Sequence, residues 1–151
     1  MAELKERLRA DLHAAMRARD QVRMRTLRMA LTSITNEEVA GAAARDLTDD
    51  EIVKVLTREA RKRREAAEAF SAAGRSDQAA AERAEGEVLA EYLPAQLSDD
   101  ELAALVDAAI AETGASGMAS MGQVMKTVTP TVAGRADGAR VAAEVRRRLS
   151  G

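Results

Sequence analysis

Cysteine and tryptophan are absent from this 151-residue chain, which holds one phenylalanine (Phe70), one tyrosine (Tyr92), one histidine (His13) and two prolines. Each scarcity excludes something. Without thiols there is no disulfide framework, no Cys-bound zinc and no Cys nucleophile. With two aromatic rings there is no platform on which successive bases of a single strand can stack. No apolar run approaches the roughly 18 residues that a membrane span needs, so no membrane partner is expected. The opening stretch MAELKERLRADL lacks an apolar segment and carries Glu3, Glu6 and Asp11. A secretory signal or an acid-poor transit peptide fits it badly, which makes the cytoplasm the expected compartment.

What the chain does have is charge, unevenly spread. The net charge is −2, but residues 5–28 hold eight Lys/Arg against three acids, a local +5. Residues 94–116 hold five acids and no base, and residues 117–151 hold six bases against Asp137 and Glu144, a local +4. Such asymmetry either marks faces with different partners or belongs to ordinary solvated helix surfaces.

Helical periodicity runs through almost every segment, and no alternation lasts long enough for a strand. The pattern predicts a first helix over Glu3–Arg19 and a second over Val22–Ala42, with Leu27, Leu31, Ile34 and Val39 along one side. Thr48-Asp49-Asp50-Glu51 reads as a capping box, in which the hydroxyl takes an amide that Glu51 answers from the other side. It opens a long helix to about Ala73, stopped by Gly74. Ser76 is expected to cap a fourth helix to about Leu93, and the short turn between these two makes them an antiparallel hairpin. Pro94 disfavours helix at Leu93, and Ser98-Asp99-Asp100-Glu101 is a second capping box, so a domain boundary falls at Pro94. Beyond it the reading gives helices over Asp99–Glu112, Ala119–Val128 and Gly138–Leu149. The expected fold is all-α: an N-terminal four-helix domain (1–93) with a long helical hairpin, then a small C-terminal three-helix bundle (94–151).

Between the last two predicted helices lies GRADGARV, Gly134 to Val141. It is not a phosphate-binding P-loop, because no Lys-Ser/Thr follows the glycines and no strand precedes them. A calcium loop with Gly138 at its sixth position and Glu144 at its twelfth would put Ala133 and Arg135 where oxygen ligands belong. What remains is punctuation: Gly134 as a stop, Asp137 as N-cap of the last helix and Gly138 as its first residue. That leaves Arg135 without a structural duty, on a turn beside a helix N-terminus where anions are favoured. On the last helix Val141, Ala142, Val145 and Leu149 share one side. Glu144 is placed to pair with Arg140 and Arg148 at i±4, and one carboxylate against three arginines leaves a net basic face.

Elsewhere the residues offer little chemistry. Arg61, Lys62, Arg63 and Arg64 spread around the circumference of the third helix, with Arg63 near its apolar line, set to snorkel or meet a carboxylate. His13 has no Ser or Asp constellation, and no pair of carboxylates stands in contrasting environments. Neither catalytic residues, nor metal ligands, nor a cofactor site are expected.

Several stretches, "LRMALTSITNEEVA", "VLTREARKRREAAEAFSAAGR", "LAEYLPAQLSDDEL", "ETGAS" and "MGQVMKTVTPTVAGRADGARV", resemble the YqeY family, also called GatB/YqeY-domain proteins, over essentially the full length. The resemblance implies a helical N-terminal domain and a three-helix C-terminal domain. It is similar to the C-terminal tail of the GatB subunit of glutamine-dependent aspartyl/glutamyl-tRNA amidotransferase, and such modules also occur on some glutaminyl-tRNA synthetases. In both settings the module helps hold tRNA; the catalytic, ATP-using part of the amidotransferase matches nothing here. The implied function is a non-catalytic tRNA-binding or tRNA-enzyme accessory module, with tRNA as partner and an aminoacyl-tRNA synthetase or amidotransferase beside it. Docking on such a protein without RNA contact is the alternative. Lysines that are common in the family are replaced by Gln123, Ala133 and Ala139. The RNA-binding candidates that remain are Lys126, Arg135, Arg140, Arg147 and Arg148.

Overall fold

The structure, a computed structural model, describes residues 2–150. Its described residues form seven α-helices and one 3-10 turn, with no strand, so the chain is all-α. The backbone divides into two compact units, Met1–Leu93 and Pro94–Gly151.

Four helices make the first unit: α1 (Glu3–Ala18), α2 (Gln21–Glu38), α3 (Asp49–Ala72) and α4 (Ser76–Ala90). Leu8, Leu27, Ile34, Ile52, Leu56 and Leu89 are fully buried at its centre, one apolar stripe from each helix. The second helix is shorter than its periodicity predicts: it stops at Glu38, and Val39 is 58% exposed rather than on the apolar side. Glu38 is the cause. Its carboxylate is drawn inward to Lys5 and the Leu47 amide, and its carbonyl accepts the Arg45 amide at 3.0 Å, so the chain folds back instead of continuing.

The capping box at the start of α3 is formed from both sides, Glu51 N–H to Thr48 Oγ1 at 3.2 Å and Thr48 N–H to Glu51 Oε1 at 3.2 Å. At its other end Gly74 takes φ +76°, and the Gly74 and Arg75 amides bond back to Ser71 and Phe70. This turn is tight enough that Arg75, not Ser76, is the N-cap of α4. Ser76 is the first helical residue and caps nothing, which corrects the sequence reading. Arg63 lies inside the α3–α4 hairpin, 3.0 Å from Glu85 and 3.7 Å from both Glu59 and Glu82. Past the end of α4, the Tyr92 hydroxyl donates to Asp11 at 2.6 Å, and the Arg7 guanidinium sits 4.5 Å from the centre of its ring.

The second unit comprises α5 (Asp99–Thr113), a 3-10 turn (Met118–Ser120), α6 (Met121–Val132) and α7 (Gly138–Ser150). Ser98 and Glu101 form the second capping box, and Gly114 ends α5 at φ +65°. The sequence places the end of the next helix near Val128, ahead of Pro130; instead α6 runs through Pro130 to Val132. A proline inside a helix lacks the N–H owed to the carbonyl four residues back and strains the turn. Here it falls in the last turn, and Val124, Val128 and Val132, spaced by four, are all essentially buried. Fully burying a valine contributes about 1.5–3 kcal/mol, enough to hold that turn in place.

Candidate nucleic-acid interface

The predicted site residues lie on α6, on α7 and on the turn joining them. The backbone rises out of α6 through two consecutive left-handed residues, Ala133 at φ +50° and Gly134 at φ +80°. The stop is therefore shared with an alanine rather than carried by Gly134 alone. Asp137 is the N-cap of α7: its Oδ1 accepts the Arg140 amide at 2.9 Å and its carbonyl accepts that of Val141 at 3.1 Å. Gly138 has open space where a Cβ would stand, so nothing in its surroundings demands glycine. The turn is tied down from outside, the Leu97 amide donating to the Arg135 carbonyl at 2.8 Å.

Arg135 is not idle. Its Nε donates to the Val132 carbonyl at 3.1 Å and its Nη2 to that of Thr131 at 2.7 Å. The guanidinium thus satisfies the Thr131 carbonyl and joins the Arg135 amide on that of Val132, at the C-terminus of α6 where a cation also meets the negative end of the helix dipole. This overturns the expectation of a residue without structural duty. The neighbouring N-terminus of α7 is no open anion seat either, since the Asp137 carboxylate already occupies it.

Arg140 pairs with Asp99 at 2.9 Å, not with Glu144. Glu144 instead takes Arg147 at 2.8 Å and Arg148 at 3.0 Å, and the latter also lies 3.5 Å from Asp107. The Arg147 hydrogen bond foremost, with that of Arg148 behind it, holds the Glu144 carboxyl below the usual carboxylate range. The pairing differs from the i±4 expectation because Asp99, the first residue of α5, reaches Arg140 across 41 positions of sequence. Spacing along one helix cannot show such a partner.

Two cations in this unit have neither an ion pair nor a side-chain hydrogen bond among the described residues. Lys126 is exposed on α6, and Arg146 is exposed on α7. The structure thus separates the five candidates: Lys126 is free, Arg147 shares a carboxylate while staying 65% exposed, and Arg135, Arg140 and Arg148 are engaged within the fold. Arg146 is the residue that the sequence reading passed over. In a run of three arginines, only the helix phase against the buried Val141 and Val145 tells which one is left without a carboxylate.

A sequence profile described as "Yqey-like protein" matches residues 5–149. The chain belongs to the YqeY family. Within the described part of this family member, no group of His, Asp or Glu is arranged to hold a metal ion. No described helix is long and apolar enough to cross a membrane. The chain is also similar to "Altered inheritance of mitochondria protein 41, mitochondrial" of Clavispora lusitaniae (strain ATCC 42720). The two are 33% identical over 97 residues, which is 63% of this chain and 55% of that protein. This YqeY-family chain therefore spans about half the length of that curated relative.

Proposed function

We propose that this YqeY-family protein is a non-catalytic accessory module that holds tRNA through phosphate contacts, in the cytoplasm and beside a tRNA enzyme. One observation carries the reading: Lys126 on α6 and Arg146 on α7 are exposed and have no ion pair among the described residues, so both keep uncompensated charge at the surface. Cations without a counter-ion attract a polyanion, whereas paired ones have spent most of that attraction. A helical surface with almost no aromatic rings favours shape and phosphate recognition over base reading. The mitochondrial placement in the relative's name belongs to that protein, and the cytoplasmic location here is part of the proposal.

The test is a filter-binding titration of the full chain with bulk tRNA over a salt series. Binding should weaken steeply, with log K falling linearly in log salt, and Lys126→Gln/Arg146→Gln should flatten the slope by one to two units. Affinity that ignores salt would overturn the reading. Glutamine, ATP and mischarged tRNA together should give no amidated product; turnover scaling with purified protein would overturn the non-catalytic part.

Docking on a protein partner, a synthetase or an amidotransferase, is the second reading. It is favoured by Met118, 47% exposed, and by the partly buried Met121 and Met125 that follow it on α6. Methionine-rich surfaces repack readily against another protein. Such docking would persist in high salt.

A further inference from the structure

The basic residues of the N-terminal unit are sorted by the fold in a way their number conceals. Arg7 faces Asp11, Arg9 faces Glu6, Arg23 faces Glu91 and Arg25 faces Glu85, at 2.6–3.9 Å. Lys5 is buried against Glu38. Arg17, in the last turn of α1, Arg19, at the corner, and Arg28, on α2, are exposed and take part in no ion pair among the described residues. Asp20, the nearest acid in sequence, accepts the Arg23 amide at 3.1 Å as N-cap of α2.

We propose that this α1–α2 corner is a second phosphate-contact surface for an RNA strand, formed by Arg17, Arg19 and Arg28. It rests on the RNA reading above and adds to it a place in the other unit. Arg28 lies seven residues past the start of α2, about 10 Å along its axis. Arg17 and Arg19 flank the end of α1 and Arg28 extends the unpaired charge along α2.

Arg19 supplies the second observation. The Asp20 amide bonds to the Ala15 carbonyl and the Arg19 amide to that of Met16, which makes Arg19 the left-handed residue of a helix stop, at φ +58° and ψ +34°. Glycine is the usual occupant there, and a long side chain is held against the backbone's preference. Arg19 thus carries an exposed, unpaired charge at a fixed corner of the backbone, whereas Ala133 takes the same left-handed conformation at the end of α6 without one. Phosphate suits the surface better than an acidic protein does. Guanidinium forks grip phosphate and carboxylate alike, but a protein partner also needs apolar area, and Met16 is the one exposed large apolar residue at the corner.

The experiment uses the full chain, bulk tRNA and a salt series, with melting curves for each variant. The triple variant Arg17→Gln/Arg19→Gly/Arg28→Gln should bind at least about ten-fold more weakly at 0.1 M salt, with the slope reduced by two to three units. Arg19→Gly alone should weaken binding two- to five-fold while raising the melting temperature, a combination that a merely structural residue cannot give. If the parent binds tRNA and the triple variant keeps its affinity and slope, this proposal fails and the RNA reading stands. If the parent does not bind, both fail. Equal binding of polyglutamate at matched charge would also overturn it, by marking an acidic protein as the partner. A fall in both melting temperature and binding for Arg19→Gly would overturn the role given to that residue.

Discussion

The Lys5 ammonium and the Glu38 carboxylate meet at 2.7 Å inside the N-terminal unit, both side chains nine-tenths or more buried. The same carboxylate accepts the Leu47 amide at 3.2 Å, so it joins α1, the end of α2 and the segment leading into α3. A buried pair of this kind contributes little against a well-packed apolar substitute, but removing one partner strands a charge.

Lys5→Met should therefore destabilise by about 3 kcal/mol, read as a fall in the urea midpoint. Lys5→Met/Glu38→Leu should regain only part of it, because the Leu47 amide stays unpaired. The Lys5 hydrogen bond, with help from the Leu47 amide, lowers the Glu38 pKa below its ordinary 4.5. Its folded value is below its unfolded one, so this stabilisation is present above about pH 4.5 and is lost as the pH falls through the folded value. A midpoint independent of pH between 5 and roughly 2 would count against the assignment.

Thr48→Ala and Ser98→Ala should each destabilise by about 1 kcal/mol, through loss of an N-cap at α3 and α5 respectively. The acid dependence should differ between them. Glu51 is held down to about 2 by Arg45 first and the Thr48 amide second, whereas Glu101 is lowered mainly by the Ser98 amide. Both contributions are present above the usual carboxylate range and lost on acidification, that of Glu51 at the lower pH. Arg45→Gln should remove most of the extra acid resistance of α3, as followed by helicity against pH.

Arg135→Ala should cost about 1 kcal/mol, because the Val132 and Thr131 carbonyls lose a charged donor. On exposure alone it would be close to neutral. Arg135→Lys should rescue less than half, since an ammonium cannot reach both carbonyls with one planar fork. Full stability in the alanine variant, measured by urea unfolding, would refute the capping role.

Arg63→Leu should destabilise by about 2–3 kcal/mol, as Glu59, Glu82 and Glu85 are left facing one another within the hairpin. Adding Glu85→Gln should recover part of that loss. Additive losses in the double variant would show that the two do not act as a pair.

Local grammar was legible in the sequence. Both capping boxes, the stop at Gly74 and the Asp137 cap lie within a few residues of their causes. What escaped depends on distant contacts. Glu38 ends α2 because of Lys5, 33 positions away, and Arg140 turns from Glu144 to Asp99, 41 positions away. Pro130 was read by its backbone rule alone, without the weight of the buried Val132 beyond it. Arg135 was misread because its partners are main-chain carbonyls, which every residue has and no motif displays. For the same reason a count of arginines at the C-terminus did not show which of them were already spent.

Tyr92 gives the molecule an optical asymmetry. It is the sole tyrosine in a chain without tryptophan, and it lies in the first unit, fixed to Asp11 and stacked beneath Arg7. The near-ultraviolet signal of the whole protein therefore reports one unit, while far-ultraviolet dichroism reports helices of both. A melt followed at the two wavelengths distinguishes units that come apart together from units that come apart in turn, with no label added. The same tyrosine signal would stay still if RNA loosened or tightened only the unit that begins at Pro94.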